Sequence, residues 1–187
     1  LRILSLGAGV QSTTLALMIE KGEIPMVDCA VFSDVGAEPK LVYKHLDWLE
    51  TKLSFPVYRV TWRDLKKDVF DAAEGKYNAF TIPFYSKNAE TGKKRMLRRQ
   101  CTFMYKINPV NQKVRELLGL KKGEKRKKGT KVEMLMGISM DEVFRIKPNR
   151  VKYIENIYPL IDLKMYREDC ISWMQNNKYP KPPRSAC

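Results

Sequence analysis

Arg2-Ile3-Leu4-Ser5-Leu6-Gly7-Ala8-Gly9-Val10-Gln11-Ser12-Thr13-Thr14 is the stretch on which the reading of this chain turns. Its first residues form a short apolar run of strand type. Two glycines and an alanine then turn the chain into Leu15-Ala16-Leu17-Met18-Ile19-Glu20, which has a helical pattern. Small residues let a backbone approach an anion closely. The start of the helix behind them offers unpaired N–H groups and the positive end of its dipole. Ser12, Thr13 and Thr14 add hydroxyl donors at the same place. Strand, small-residue loop and hydroxyl-rich helix start together read as a phosphate cradle; the plainer reading is a strand–turn–helix that needs glycine for a tight bend.

Two familiar phosphate loops are excluded. There is no Gly-Lys-Ser/Thr, so this is not a Walker A loop. The third glycine position of the dinucleotide fingerprint is Ser12, so it is not that either. Instead Ser5–Ser12 resembles a variant of the PP-loop, the pyrophosphate-binding loop of the adenine nucleotide α-hydrolase-like superfamily, whose usual form is Ser-Gly-Gly-x-Asp-Ser. Gly9 and Ser12 match that form; Gly7, Ala8 and Gln11 depart from it. Gln11 stands where the family has Asp, so a role that needs a carboxylate does not transfer. Within the superfamily the chain most resembles the PAPS reductase-like branch, including uncharacterised members often found in phages.

Working outward, the helix Gln11–Lys21 ends at Gly22, and Val27–Phe32 is a second strand. Pro39 opens a helix through Leu53, with Leu41, Leu46, Trp48 and Leu49 as its apolar positions and His45 on its surface. Val57–Thr61 is a third strand and Asp64–Glu74 a helix. Tyr77–Thr102 reads as irregular, Tyr105–Leu118 as helical, and Val132–Ile138 as a fourth strand. A short strand falls within Tyr153–Ile161, and Met165–Asn176 is a last helix. This alternation predicts an α/β fold with right-handed crossovers. The resemblance makes it a Rossmann-like, HUP-type three-layer sandwich with a mostly parallel five-stranded sheet. The 187 residues read as a single PP-loop domain, with 77–131 as an irregular basic insertion. The chain opens at Leu1 without methionine and stops at Cys187, which reads as a truncation of the C-terminal end of a longer protein.

With 44% apolar residues the chain can bury a core, and no run approaches a membrane span or a signal peptide, so a cytoplasmic protein is expected. The net charge of +14 favours an anionic partner, nucleotide or nucleic acid. Part of it lies in Lys121–Lys128, which is equally a solvated loop. Aromatic and basic residues interleave between Tyr77 and Tyr105, as in grips on single-stranded RNA or DNA, or as in a loop with anchoring aromatics. The oligomeric state is open, with a dimer among the options.

Ligands of α/β sheets bind past the carboxyl ends of strands. Three ends carry suggestive residues. The first is Gly7–Ser12. At the second, Ser33-Asp34-Val35-Gly36, the resemblance implies an adenine against the backbone, with Gly36 giving it room. At the third, Gly137-Ile138-Ser139-Met140-Asp141-Glu142-Val143-Phe144-Arg145, Gly137 allows close approach of ligand or backbone. There Asp141 and Glu142 offer oxygens to Mg²⁺, and Arg145, Lys147 and Arg150 are suited to phosphate. The same residues suit a helix start with Ser139 as its cap. The resemblance implies a nucleotide site of Gly7, Ala8, Gly9, Gln11, Ser12, Thr13, Ser33, Asp34, Gly36 and Gly137, with Ser12, Asp141 and Arg145 in catalysis. It also implies ATP with Mg²⁺ as cofactor.

The four cysteines are far apart and are not read as disulfides. Arg98-Arg99-Gln100-Cys101-Thr102 and Pro182-Pro183-Arg184-Ser185-Ala186-Cys187 resemble segments that carry metal-binding thiols in the family. Cys101 and Cys187 are thereby candidate ligands of a 4Fe–4S cluster or zinc, or alternatively nucleophiles beside arginine. Cys170 and Cys29 read as core thiols. The expected activity is transfer of the adenylyl group of ATP to an acceptor, such as a nucleobase, with pyrophosphate release. The alternatives are thiol-dependent reduction of a sulfonucleotide, as in PAPS reductase, and a non-catalytic nucleotide- or nucleic-acid-binding module.

Overall fold

The computed structural model describes residues 1–76, 85–88, 90–96 and 102–185. The apolar runs become five strands: β1 (Arg2–Leu6), β2 (Cys29–Asp34), β3 (Val57–Thr61), and later β6 (Val132–Met136) and β7 (Ile154–Ile157). They pair in the order β3-β2-β1-β6-β7, and every pairing is parallel. All five therefore end at one edge. The order changes direction between β1 and β6, so the switch point of the sheet lies at their carboxyl ends, where open α/β sheets bind ligands.

Alternation along the strands sorts the core into two faces. Leu4, Leu6, Ala30, Phe32 and Leu135 pack on one face with helices α1 (Val10–Glu20), α2 (Lys40–Glu50) and α6 (Arg167–Asn176) and with Leu160 of α5 (Pro159–Asp162). Ile3, Cys29, Val31, Val132, Met134 and Ile154 pack on the other, against Val110 and Val114 of α4 (Asn108–Leu117). This is the expected three-layer Rossmann-like sandwich. Helix α1 is buried from Val10 through Ile19, because α5 and α6 cover the side turned from the sheet. It stops where Gly22 turns left-handed and lets the N–H of Glu23 reach the Met18 carbonyl.

Several local expectations change. Helix α2 ends at Glu50, and Leu41 is largely exposed; Val42, His45, Leu46 and Leu49 form its inner stripe. His45 is buried, not superficial, since it takes the inner position one turn after Val42. The segment read as irregular contains an antiparallel hairpin of β4 (Tyr85–Lys87) and β5 (Lys94–Met96). α3 (Leu65–Ala73) is capped by the Asp64 carboxylate, which accepts from the Lys67 N–H. A π-helical turn, Thr102–Ile107, precedes α4 and buries Tyr105 against Trp62, so Tyr105 is not available for base stacking. Lys121–Lys128 is exposed throughout, and it precedes β6, at the edge away from the carboxyl ends. No helix among the described residues is long and apolar enough to cross a membrane.

Candidate functional site at the carboxyl edge

The loop after β1 is shaped by its own side chains. Ala8 is fully buried at φ 53°, in the left-handed region that costs an alanine about 1 kcal/mol. The Ser12 hydroxyl accepts from the Gly7 N–H at 3.2 Å and donates to the Gly9 carbonyl at 3.3 Å, closing the loop on itself. Gly9 leads into α1 at φ −92°, ψ 178°, extended backbone that any residue adopts. A Cβ there would meet nothing within 4 Å among the described residues. Glycine at 9 thus answers no demand of the folded chain itself.

Gly137 differs. Its Cβ would lie 2.8 Å from both the N and Cα of Ser12 and 3.1 Å from the carbonyl carbon of Gln11. The end of β6 is pressed onto the first turn of α1, and only glycine permits it. The close approach expected at Gly137 is made by backbone. Gly36 has φ +72°, and its Cβ would fall within 2.9 Å of Asp64, so the space expected for adenine beside it is filled on that side by Asp64. The Gly36 N–H donates to Asp34 Oδ1 at 2.8 Å, as does the Tyr43 hydroxyl at the same distance. Burial, and then the hydrogen bond to Asp34, push Tyr43 up to about 12. The Ser33 hydroxyl donates to the Tyr105 carbonyl at 2.6 Å, tying β2 to the π-helical turn.

The first turn of α1 reaches far along the chain. The Thr13 hydroxyl is 3.1 Å from His45 Nε2, and both are buried. Burial lowers the His45 pKa, so the ring is neutral near pH 7. Gln11 joins three segments: its Nε2 donates to Ser139 Oγ at 3.4 Å and to Glu142 Oε2 at 3.3 Å, and its Oε1 accepts from Arg167 at 2.8 Å. The Ser139 hydroxyl donates to Asp141 Oδ2 at 3.3 Å and caps no helix N–H. Asp141 Oδ1 accepts from the Arg167 backbone N–H at 2.8 Å. Arg145 pairs with Glu142 Oε1 at 2.7 Å on the exposed rim of the 3₁₀ turn Met140–Arg145.

Gly7–Thr13, Gly137, Asp141 and Arg145 therefore gather at the switch point, while Ser33, Asp34 and Gly36 lie at the end of the neighbouring strand β2. Arg167 and His45 escaped sequence reading, because their partners lie 156 and 32 residues away. Both acidic side chains expected to meet Mg²⁺ are engaged by protein donors, and no group of three metal-ligating side chains occurs among the described residues. Asp141 and Glu142 would be the side chains to hold an Mg²⁺ carried by nucleotide phosphates, for which one or two carboxylates suffice. Cys101 and Cys187 lie outside the described residues. Cys29 and Cys170 are buried on opposite faces of the sheet, each with its thiol pushed up to about 11, chiefly by burial. They cannot share a cluster.

The fold and the site define a class: a Rossmann-like α/β domain with an all-parallel five-stranded sheet and a glycine-containing loop at its switch point. No protein-family profile matches the sequence, and no curated protein does. Among solved structures, the chain is similar to phosphoadenylyl-sulfate (PAPS) reductase from Candida auris, determined as a phosphate complex. The TM-score is 0.57 at 15% identity, over 96% of this chain and 74% of that one. At that identity the likeness is one of fold, and this chain has a PAPS reductase-like fold.

Proposed function

We propose that the chain is a PP-loop enzyme that binds ATP with its phosphates at Gly7–Ser12 and transfers the adenylyl group to an acceptor. The observation that carries this reading is Gly9: its backbone needs no glycine and its Cβ would enter open space, as a loop requires if a ligand is to lie against its main chain. The phosphate bound by the structurally similar reductase supports the same class of ligand. In the reaction an acceptor oxygen attacks the α-phosphorus. The bond to the α–β bridging oxygen breaks, and pyrophosphate leaves with the electron pair. N–H groups in the first turn of α1 face the charge that develops on that leaving group. The Ser12 hydroxyl, bonded within the loop, holds these groups in place.

The acceptor in this reading is a nucleobase of RNA or DNA. Phe144 is 77% exposed beside Arg145 on the same edge, and the Arg150 guanidinium lies 5.5 Å from the ring of Phe103. Exposed aromatics among cations suit single strands. The name of the similar structure favours one second reading, in which a thiolate attacks the sulfonate sulfur of PAPS and adenosine 3′,5′-bisphosphate leaves, after which a thiol reductant attacks the resulting S-sulfonate, forming a disulfide and expelling sulfite. Cys29 and Cys170 are too buried for that role, so it would fall to Cys101, Cys187 or an external thiol.

Incubation of the chain with ATP and short oligonucleotides, and separately with PAPS and a dithiol, distinguishes the two. AMP-linked product with pyrophosphate supports adenylyl transfer; sulfite supports reduction. Absence of ATP binding by calorimetry refutes the first reading.

A further inference from the structure

Two guanidiniums stand near the first turn of α1, and they are held differently. Arg145 is neutralised by Glu142 at 2.7 Å. Arg167 makes no ion pair among the described residues; its contact is with the neutral amide oxygen of Gln11, at 2.8 Å. We infer that Arg167 is the phosphate-binding cation of the site and that Gln11 positions it. The inference rests on the nucleotide reading above.

The placement of Arg167 is enforced from several sides. Its backbone N–H is held by Asp141, and the Met140 N–H donates to the carbonyl of Met165, two residues before it. The start of α6 is thus fastened to the segment after β6. Gln11 is 8% exposed, with its amide nitrogen spent on Ser139 and Glu142 and its oxygen turned to Arg167. An amide suits this place because it presents an acceptor to a cation and a donor to an anion. A carboxylate at position 11 would neutralise Arg167 and repel Glu142. Glutamine therefore leaves the positive charge of Arg167 whole and aims it, with four of its five N–H donors free of the Gln11 bond, beside the turn that offers its own N–H groups. A guanidinium so placed takes the β- or γ-phosphate end of a nucleotide, where charge is densest, rather than the single phosphate of AMP.

The test is calorimetry of the whole chain with ATP, inorganic pyrophosphate and AMP at two salt concentrations. Arg167→Ala should weaken ATP and pyrophosphate by about tenfold or more and AMP by much less. It should also flatten the salt dependence of ATP affinity. Lys125→Ala, in the exposed loop before β6 and away from the carboxyl edge, should stay within about threefold of the wild type. Gln11→Ala should cost pyrophosphate affinity in the wild type and nothing further in the Arg167→Ala background, a non-additivity that a merely structural role does not produce. If Arg167→Ala does not fold, as judged by circular dichroism, Arg167→Gln keeps the bulk and tests the charge. Wild-type chain that binds neither ATP nor pyrophosphate overturns the nucleotide reading and this assignment with it. Wild-type binding left unchanged by Arg167→Ala or Arg167→Gln overturns the assignment alone.

Discussion

Replacing Gly137 by alanine places a methyl carbon 2.8 Å from the N and Cα of Ser12. Relaxed carbon–carbon contacts lie at about 3.5–4.0 Å, so roughly 1 Å must be found. It cannot come from a side chain, because the atoms met are backbone. Nor can α1 retreat, since it is buried from Val10 to Ile19 under α5 and α6. Over-packing of this kind costs about 1–3 kcal/mol. At about 2–4 °C per kcal/mol for a chain of this size, Gly137→Ala should lower the thermal midpoint by about 2–12 °C. Gly9→Ala is the matched control: extended backbone and open space predict no loss, and about 0.4–1 kcal/mol of gain from a stiffer unfolded chain. The two should part again in nucleotide titration. Gly9→Ala should lose ATP affinity while keeping its stability. Reversible melting followed by circular dichroism, with calorimetry at 25 °C, reads both. A Gly137→Ala midpoint equal to wild type refutes the claim that the end of β6 is pressed onto the first turn of α1. A Gly9→Ala variant that binds ATP normally refutes the reason given for glycine there.

The other expectations are more local. His45 is the chain's one histidine, buried neutral against Thr13, so its folded pKa lies below 6.5. As pH falls below 6.5 the unfolded chain takes up a proton that the folded chain refuses, and stability falls by up to about 1.4 kcal/mol per pH unit until the folded pKa is passed. Urea unfolding at pH 7.5 and 5.5 should show this loss in wild type and not in His45→Ala, and an imidazole resonance titrating at or above 6.5 would contradict it. Cys29 and Cys170, with thiols near 11, should react with a thiol reagent only on unfolding; fast labelling of either in native protein would show that the core is open there. Asp34→Asn should bring the Tyr43 phenol down from about 12, read by ultraviolet titration, and an unmoved phenol would leave burial as the whole cause. Phe144→Ala should weaken binding of short single strands without moving the thermal midpoint, because the ring is 77% exposed; unchanged affinity removes this face from the acceptor site.

Much of the framework is legible in the residues because its causes are local. The apolar run ahead of Gly7 is a strand, Gly22 ends the helix behind it, and the alternation that follows makes the sheet parallel with helices on both faces. Loop, helix start and the Gly137–Arg145 segment could be marked as candidates because small residues, hydroxyls and charges lie next to one another in sequence. What they touch could not. The pattern of α2 placed His45 outside, yet one turn of helix from Val42 brings it under Thr13. Local spacing suggested Ser139 as a cap, but its hydroxyl caps no helix N–H and accepts from Gln11 across the fold, and Asp141 and Glu142 accept from Arg167 and Gln11 there as well. Which guanidinium keeps its charge unpaired beside the first turn of α1 is a matter of distances between residues 156 positions apart. Sequence carries propensities that act over a few residues, whereas the pairing of buried polar groups is decided by which segments the sheet order brings into contact.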